Sequence, residues 1–251
     1  MQCPKCGYLR QQEDNHVMAG VCPRCGIAYA KWKGPEPAAR ERPAEAEPDN
    51  LIIEITEPWT RRVFSRLTEL PERVDSLTFW GQVALFTAFF VWGWSFILGG
   101  IDWVSIGGSF LHNANLPFHE FGHVLFSPFG RYMAILGGSL FQVLMPLGLM
   151  LAFILQRRDN FAASIMLWWC GQNFIDVSPY IADAPYRAIP LIRGMSEDYH
   201  DWGNLLSMSG TLHRAGTYAS LWFGTGVVLM LLSFCWGAWL LYRQYQHPSS
   251  S

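Results

Sequence analysis

Residues 77–98 read LTFWGQVALFTAFFVWGWSFIL, and no charged side chain occurs between Asp75 and Asp102. At about 1.5 Å of rise per residue, a helix over this run reaches about 33 Å, enough to cross a hydrocarbon core of ~30 Å. Two further uncharged runs follow, between Arg131 and Arg157 and between Arg214 and Arg243. Two weaker apolar segments, 106–126 and 161–182, carry His, Glu, Asn, Gln and Asp. They are too polar to face lipid all round, and polar groups inside a membrane normally face a cavity and mark function. The predicted class is an all-α polytopic membrane protein of about five transmembrane helices.

Outward from this region the composition changes. Residues 1–75 hold most of the charge, whereas the rest is dominated by apolar runs, with twelve Trp and seventeen Phe in the whole chain. The net charge of −2 gives no electrostatic case for a nucleic-acid partner. The chain divides into a Cys-rich module (1–33), a Pro/Ala/Glu-rich flexible linker (34–50), an amphipathic interfacial segment (51–76), a membrane domain (77–243) and a tail (244–251). Within the third part, Trp59, Val63, Leu67, Leu70 and Val74 recur at helical spacing between Arg61, Arg62 and Arg66, which predicts a helix over 57–74 lying on the lipid bilayer surface. With the N-terminus inside, five spans sort Arg61, Arg62, Arg66, Arg73, Arg131, Arg187, Arg193 and Arg214 to the cytoplasmic side. Arg157, Arg158 and Arg243 then lie outside, a bias that follows the positive-inside rule.

Cys3-Pro4-Lys5-Cys6-Gly7 and Cys22-Pro23-Arg24-Cys25-Gly26 are two knuckles separated by fifteen residues. Each Cys-x-x-Cys turn offers two thiolates, and two turns complete a tetrahedral zinc site in a module with almost no core of its own. Redox pairs and a disulfide cluster are the alternatives. Nothing at the N-terminus reads as a signal peptide, so the module is expected in the reducing cytosol, where metal is favoured. Cys3, Cys6, Cys22 and Cys25 are thus candidate ligands of a structural zinc, in a ribbon whose partner is unknown. Cys170 and Cys235 sit in apolar runs and read as small hydrophobes.

His119-Glu120-Phe121-Gly122-His123 places two imidazoles four residues apart, so on a helix they grip one metal ion, with Glu120 beside it to deprotonate a bound water. Three such groups within a bilayer each carry a cost of a few kcal/mol unless paired or hydrated, and a metal supplies the pairing. The other reading is that both His satisfy helix–helix hydrogen bonds and Glu120 is protonated or paired. A third ligand is missing from the motif. Asp176 and Asp183 both end an otherwise apolar segment, after Asn173. Gln142 reads as a buried polar group facing the site helix, and His112 has no assigned role.

At these residues the chain resembles the site-2 protease family of intramembrane zinc peptidases, over roughly residues 78–242. In that family the His motif is completed by an Asp that follows an Asn- and Pro-rich turn. Asn173, Pro179 and Asp183 occur here in that order, with different spacing and with Ala184 in place of a Gly. The chain looks similar to a bacterial branch in which Tyr180-Ile181-Ala182-Asp183-Ala184 is followed by His200-Asp201-Trp202. The resemblance implies a catalytic zinc held by His119, His123 and Asp183, with Asp176 as runner-up. Glu120 is then the general base and Asn173 a group that positions substrate or binds the developing oxyanion. His200 and Asp201 are left as a supporting pair, a replacement ligand or a solvated loop. The implied activity is hydrolysis of a membrane-protein substrate in a bacterial inner membrane, with a cytoplasmic N-terminus. Two other readings stay open: an idle relative that binds membrane proteins, and a metal-dependent hydrolase of a non-peptide bond.

Overall fold

The structure is a computed structural model that describes residues 1–34, 58–71, 74–191, 194 and 196–246. The chain divides into two compact units, Met1–Thr56 and Glu57–Ser251. The linker expected over 34–50 lies outside the described residues apart from Gly34, as do most of the tail and the first part of the 51–76 segment.

The first unit is built from two copies of one turn. Cys3 N–H donates to the Tyr8 carbonyl and Gly7 N–H to the Cys3 carbonyl, each at 2.9 Å; Cys22, Ile27 and Gly26 repeat the pattern at 2.9 Å. Gly7 and Gly26 adopt φ of 71° and 68°, the left-handed region in which a side chain is strained. Between the turns, the Arg10 guanidinium donates to the carbonyls of Asp14, Val17, Met18 and Val21, holding a loop that has little apolar surface to bury.

In the second unit the chain is mostly helical, with no strand among the described residues. Helix α1, Trp59–Leu67, is shorter than the 57–74 expected. Thr68 closes it by donating its N–H (3.0 Å) and hydroxyl (2.8 Å) to the Phe64 carbonyl, and Pro71 follows. Helix α2, Ser76–Gly99, starts at Asp75, whose carboxylate accepts the Thr78 N–H at 3.0 Å. Then come the short α3 (Trp103–Gly107), α4 (Phe110–Phe126), α5 (Arg131–Ala152, running on as a wider turn to Arg157), α6 (Asn160–Ala182), α7 (Asp201–Met208) and α8 (Ala215–Gln246).

Three segments, Ser76–Gly99, Arg131–Arg157 and Leu212–Gln246, are long and apolar enough to cross a membrane. Leu77, Trp80, Val91 and Leu98 on α2 and Leu221, Val228 and Leu232 on α8 are exposed on the protein alone, an apolar girdle of the kind lipid covers. Helix α6 is the inner post, with Asn160, Ser164, Gln172, Asn173, Asp176 and Ser178 all buried. It runs antiparallel to α8, with Ser233 donating to the Ser164 carbonyl at 2.7 Å, while Ala215 and Ala219 pack near Ile181. Helices α4 and α5 touch backbone to backbone: a Cβ added at Gly122 would fall 2.2 Å from the Gly137 carbonyl oxygen. Close approach of this kind is how helices associate where lipid offers no hydrophobic driving force.

The segment 106–126, expected as one span, is interrupted after α3, and α4 is 17 residues with Pro117 inside. Hydrogen bonds between α4 and α6 fall at Trp169, Gln172 and Asp176, from the middle of α6 toward the end away from Asn160. This changes the sorting of charges. Glu69 accepts from Arg66 at 3.1 Å and from Arg158 at 3.2 Å, and the Asn160 side chain donates to the carbonyls of Arg66 and Glu69 at 2.8 Å. Trp236 on α8 donates to the Leu67 carbonyl at 2.9 Å. Arg66 and Arg158, expected on opposite sides, therefore sit at the same end of the bundle. The count from sequence let every apolar segment cross; α4 instead stays in the far half, so the later helices reverse direction.

Candidate metal centre

One turn of α4 separates His119 from His123, and their rings meet edge to face with centroids 4.9 Å apart. Each ring is held by its Nδ1. His123 Nδ1 lies 2.8 Å from the Ala134 carbonyl oxygen, which only accepts, so Nδ1 carries the proton. His119 Nδ1 lies 3.1 Å from Gln142 Oε1. The Gln142 amide is oriented by its own NH2 group, which donates to Asp176 Oδ2 at 2.7 Å, so it too presents an acceptor to its histidine. In their neutral form both imidazoles are thereby fixed as the tautomer whose Nε2 lone pair is free, the arrangement by which outer partners orient metal ligands.

Both lone pairs point at one carboxylate. Asp201 Oδ2 is 3.0 Å from His119 Nε2 and 3.3 Å from His123 Nε2. Three electron donors this close repel unless protons on the imidazoles or a shared metal cation join them. The three ligand atoms lie within 4.8 Å of one another. A tetrahedral ion with bonds of about 2.0–2.2 Å sets its ligand atoms about 3.3 Å apart, so the donor set fits a metal. Helix α5 leaves room for one at Gly138, where an added Cβ would lie 2.6 Å from His123 Nε2 and 2.7 Å from His119 Nε2.

Asp201 reaches this position through its neighbours. His200, fully buried, caps α7 by accepting the Gly203 N–H on Nδ1 at 3.0 Å. Its Nε2–H therefore donates to Asp183 Oδ2 at 3.2 Å. Asp201 N–H donates to the Tyr180 hydroxyl at 2.8 Å, and the Tyr180 ring lies on His200 with centroids 4.2 Å apart. Trp202 donates to Ser139 Oγ at 3.0 Å, tying α7 to α5. The three consecutive residues cap the helix, supply the carboxylate and anchor the helix, in that order.

Asp183 is thus not brought to the histidine pair. Its Oδ2 is occupied by His200 and by the Ile189 N–H at 2.9 Å, so it stands behind His200. Asp176 is also one step removed, bound to Gln142 and to His112 Nδ1 at 3.1 Å. Asn173 is fully buried and donates to the Trp169 carbonyl at 2.9 Å, outside the cavity at the centre. That cavity, about 400 Å³, is lined by Glu120 together with His112, His119, His123, Tyr180 and Asp201. Tyr180 and Gly138 had no site role from sequence; the signals were the shared Tyr180–Asp183 motif and the Gly137-Gly138 pair.

In the first unit, Cys3 Sγ lies 3.7 Å from Cys25 Sγ and Cys6 Sγ 3.6 Å from Cys22 Sγ. All four cysteines are free, with sulfurs within 4.8 Å of one another. Thiolates at about 2.3 Å from a tetrahedral ion stand about 3.8 Å apart, so this set also fits a metal and is not a disulfide pair. Burial works against the Cys22 thiolate, but amide hydrogen bonds from Cys25 and Arg24 outweigh it and lower the pKa.

Comparison with known proteins finds no matching family, no matching curated protein and no matching solved structure.

Proposed function

We propose that the unit Glu57–Ser251 is a zinc-dependent, site-2 protease-like peptidase of the bacterial inner membrane, joined to a zinc ribbon that docks an unidentified partner. The observation that carries this reading is the convergence of two Nε2 lone pairs on the Asp201 carboxylate, with Glu120 lining the same cavity. His119, His123 and Asp201 would hold the ion and leave one position open, as catalytic zinc sites do, while four ribbon thiolates close theirs. When bound, zinc supplies Lewis acidity and lowers the pKa of water toward ~7.

The chain's own groups do the rest. Glu120 takes a proton from the attacking water and returns it to the leaving amine. Apolar walls from Leu116, Ile135 and Val177 exclude bulk water and accept an apolar peptide. A helical substrate must first unwind, because its carbonyls are occupied by intrahelical hydrogen bonds. An intact Glu120 in the cavity favours hydrolysis over mere binding.

Full-length protein purified in detergent should carry two zinc ions per chain. Replacing both His119 and His123 with Ala should remove one, and Cys→Ser changes in the ribbon the other. A single zinc that survives the His changes would overturn the proposal.

The same reading assigns sidedness. Arg61, Arg62, Arg66, Arg157, Arg158 and Arg243 belong to the α1 end of the bundle, against Arg131, Arg187 and Arg214 at the other. The positive-inside rule then keeps the α1 end, and with it the N-terminus, cytoplasmic. The metal centre lies toward the opposite face, since His123 is tied to Ala134 near the start of α5. A cysteine at Arg131 should react with an impermeant maleimide on intact cells, and one at Arg158 only after lysis; the reverse pattern would refute this orientation.

A further inference from the structure

Among the described residues, Asp176 is the most heavily engaged acidic side chain in the membrane unit that the proposed chemistry does not use. It is 3 % exposed, on the inner post α6, and a carboxylate so buried is costly unless its oxygens are satisfied. Three side chains satisfy it: Gln142 Nε2 at 2.7 Å, His112 Nδ1 at 3.1 Å and Asn115 Nδ2 at 3.3 Å. The shortest of these bonds leads directly to the metal centre, because the other end of the same amide accepts from His119 Nδ1 at 3.1 Å.

The direction of this chain is determined at its start. A carboxylate only accepts, so Gln142 must turn its NH2 group to Asp176 and its oxygen to His119. A free glutamine could present either end to a histidine, and with the NH2 end His119 would offer Nδ1 as acceptor and keep a proton on Nε2. Such a ring could not ligate a metal through Nε2. The negative charge at the head of the chain also polarises the amide, strengthening its oxygen as an acceptor and raising the basicity of the imidazole beyond it.

We propose that Asp176 is a positioning residue for the metal centre: acting through Gln142, it selects the His119 tautomer that binds metal and increases the affinity of the site. The inference rests on the metal centre described above and deepens it. It also gives a use to a carboxylate that in sequence looked like a ligand.

The test is the zinc affinity of the full-length chain in detergent, measured by competition with a chromophoric chelator, with the ribbon as internal control. Asp176→Asn should weaken zinc binding at the membrane site by about 10- to 100-fold and leave the ribbon unchanged. The double variant Asp176→Asn with Gln142→Glu moves the carboxylate one link closer, where it accepts from His119 directly and also from the amide newly placed on α6. It should recover affinity to within a few-fold of wild type, although Gln142→Glu alone sets two carboxylates against each other and should not. A merely structural role would lower the melting temperature of Asp176→Asn with no change in zinc affinity, and that result overturns the proposal, as does a double variant no better than the single. Wild-type protein without zinc at this site would instead sink the metal centre itself.

Discussion

Glu120→Gln is expected to abolish most peptide hydrolysis, by about 10²- to 10⁴-fold, while both zinc ions stay bound. The amide keeps the size and much of the hydrogen-bonding capacity of the carboxylate but cannot accept a proton at neutral pH. Glu120 is exposed in the cavity and makes no part of the converging donor set, which consists of His119, His123 and Asp201. Loss of activity should therefore appear in kcat, with the metal content and the folded state unchanged. The assay compares native and variant chains on candidate single-span membrane proteins. Equal cleavage by the two would remove Glu120 from the mechanism. Loss of zinc along with activity would make it a ligand instead of a base.

Gly138→Ala is expected to empty the membrane site. The added methyl would stand 2.6 Å from His123 Nε2 and 2.7 Å from His119 Nε2, closer than real Cβ contacts come. A long surface side chain would swing away at little cost. These rings cannot, because the Nδ1 bonds to Ala134 and Gln142 hold both at their far edge. The methyl therefore displaces the metal ligands from their common focus, and zinc content should fall from two per chain to one. Gly148 on the same helix has nothing within 4 Å of its would-be Cβ, so Gly148→Ala is the control and should retain both ions. A Gly138→Ala chain that keeps two zinc ions would show that the focus of the two Nε2 atoms is not where the metal sits.

Both substitutions lie in or beside motifs that could be read directly along the chain. A run of apolar residues, a Cys-x-x-Cys pair and a His-x-x-x-His spacing are local patterns, and local geometry alone brings their members together. Hydropathy decided that the protein is helical and membrane-suited, and helix pitch decided that His119 and His123 share a face. The duplicated knuckle decided that four sulfurs meet. None of these depends on how one helix packs on another.

The third candidate ligand does. Asp176 and Asp183 end one apolar segment and Asp201 lies in the polar stretch after it, and nothing in their spacing distinguishes the one that meets the histidines from the two that stand behind it. Their roles were separated by long-range contacts: Trp202 to Ser139, His200 to Asp183, Gln142 to Asp176. Asn173 was misplaced for the same reason, since a helix turned slightly differently in the bundle would point it into the cavity. Sidedness also belonged to packing, because one carboxylate, Glu69, joins Arg66 and Arg158 and so puts at one end two charges that a count of spans had separated. By itself, then, the amino-acid order determined the helical character, the cluster of four cysteines and two of the three candidate ligands. Which acid meets the two histidines, and which charges share one end of the bundle, was decided by side chains far apart in the chain competing for the same few buried partners.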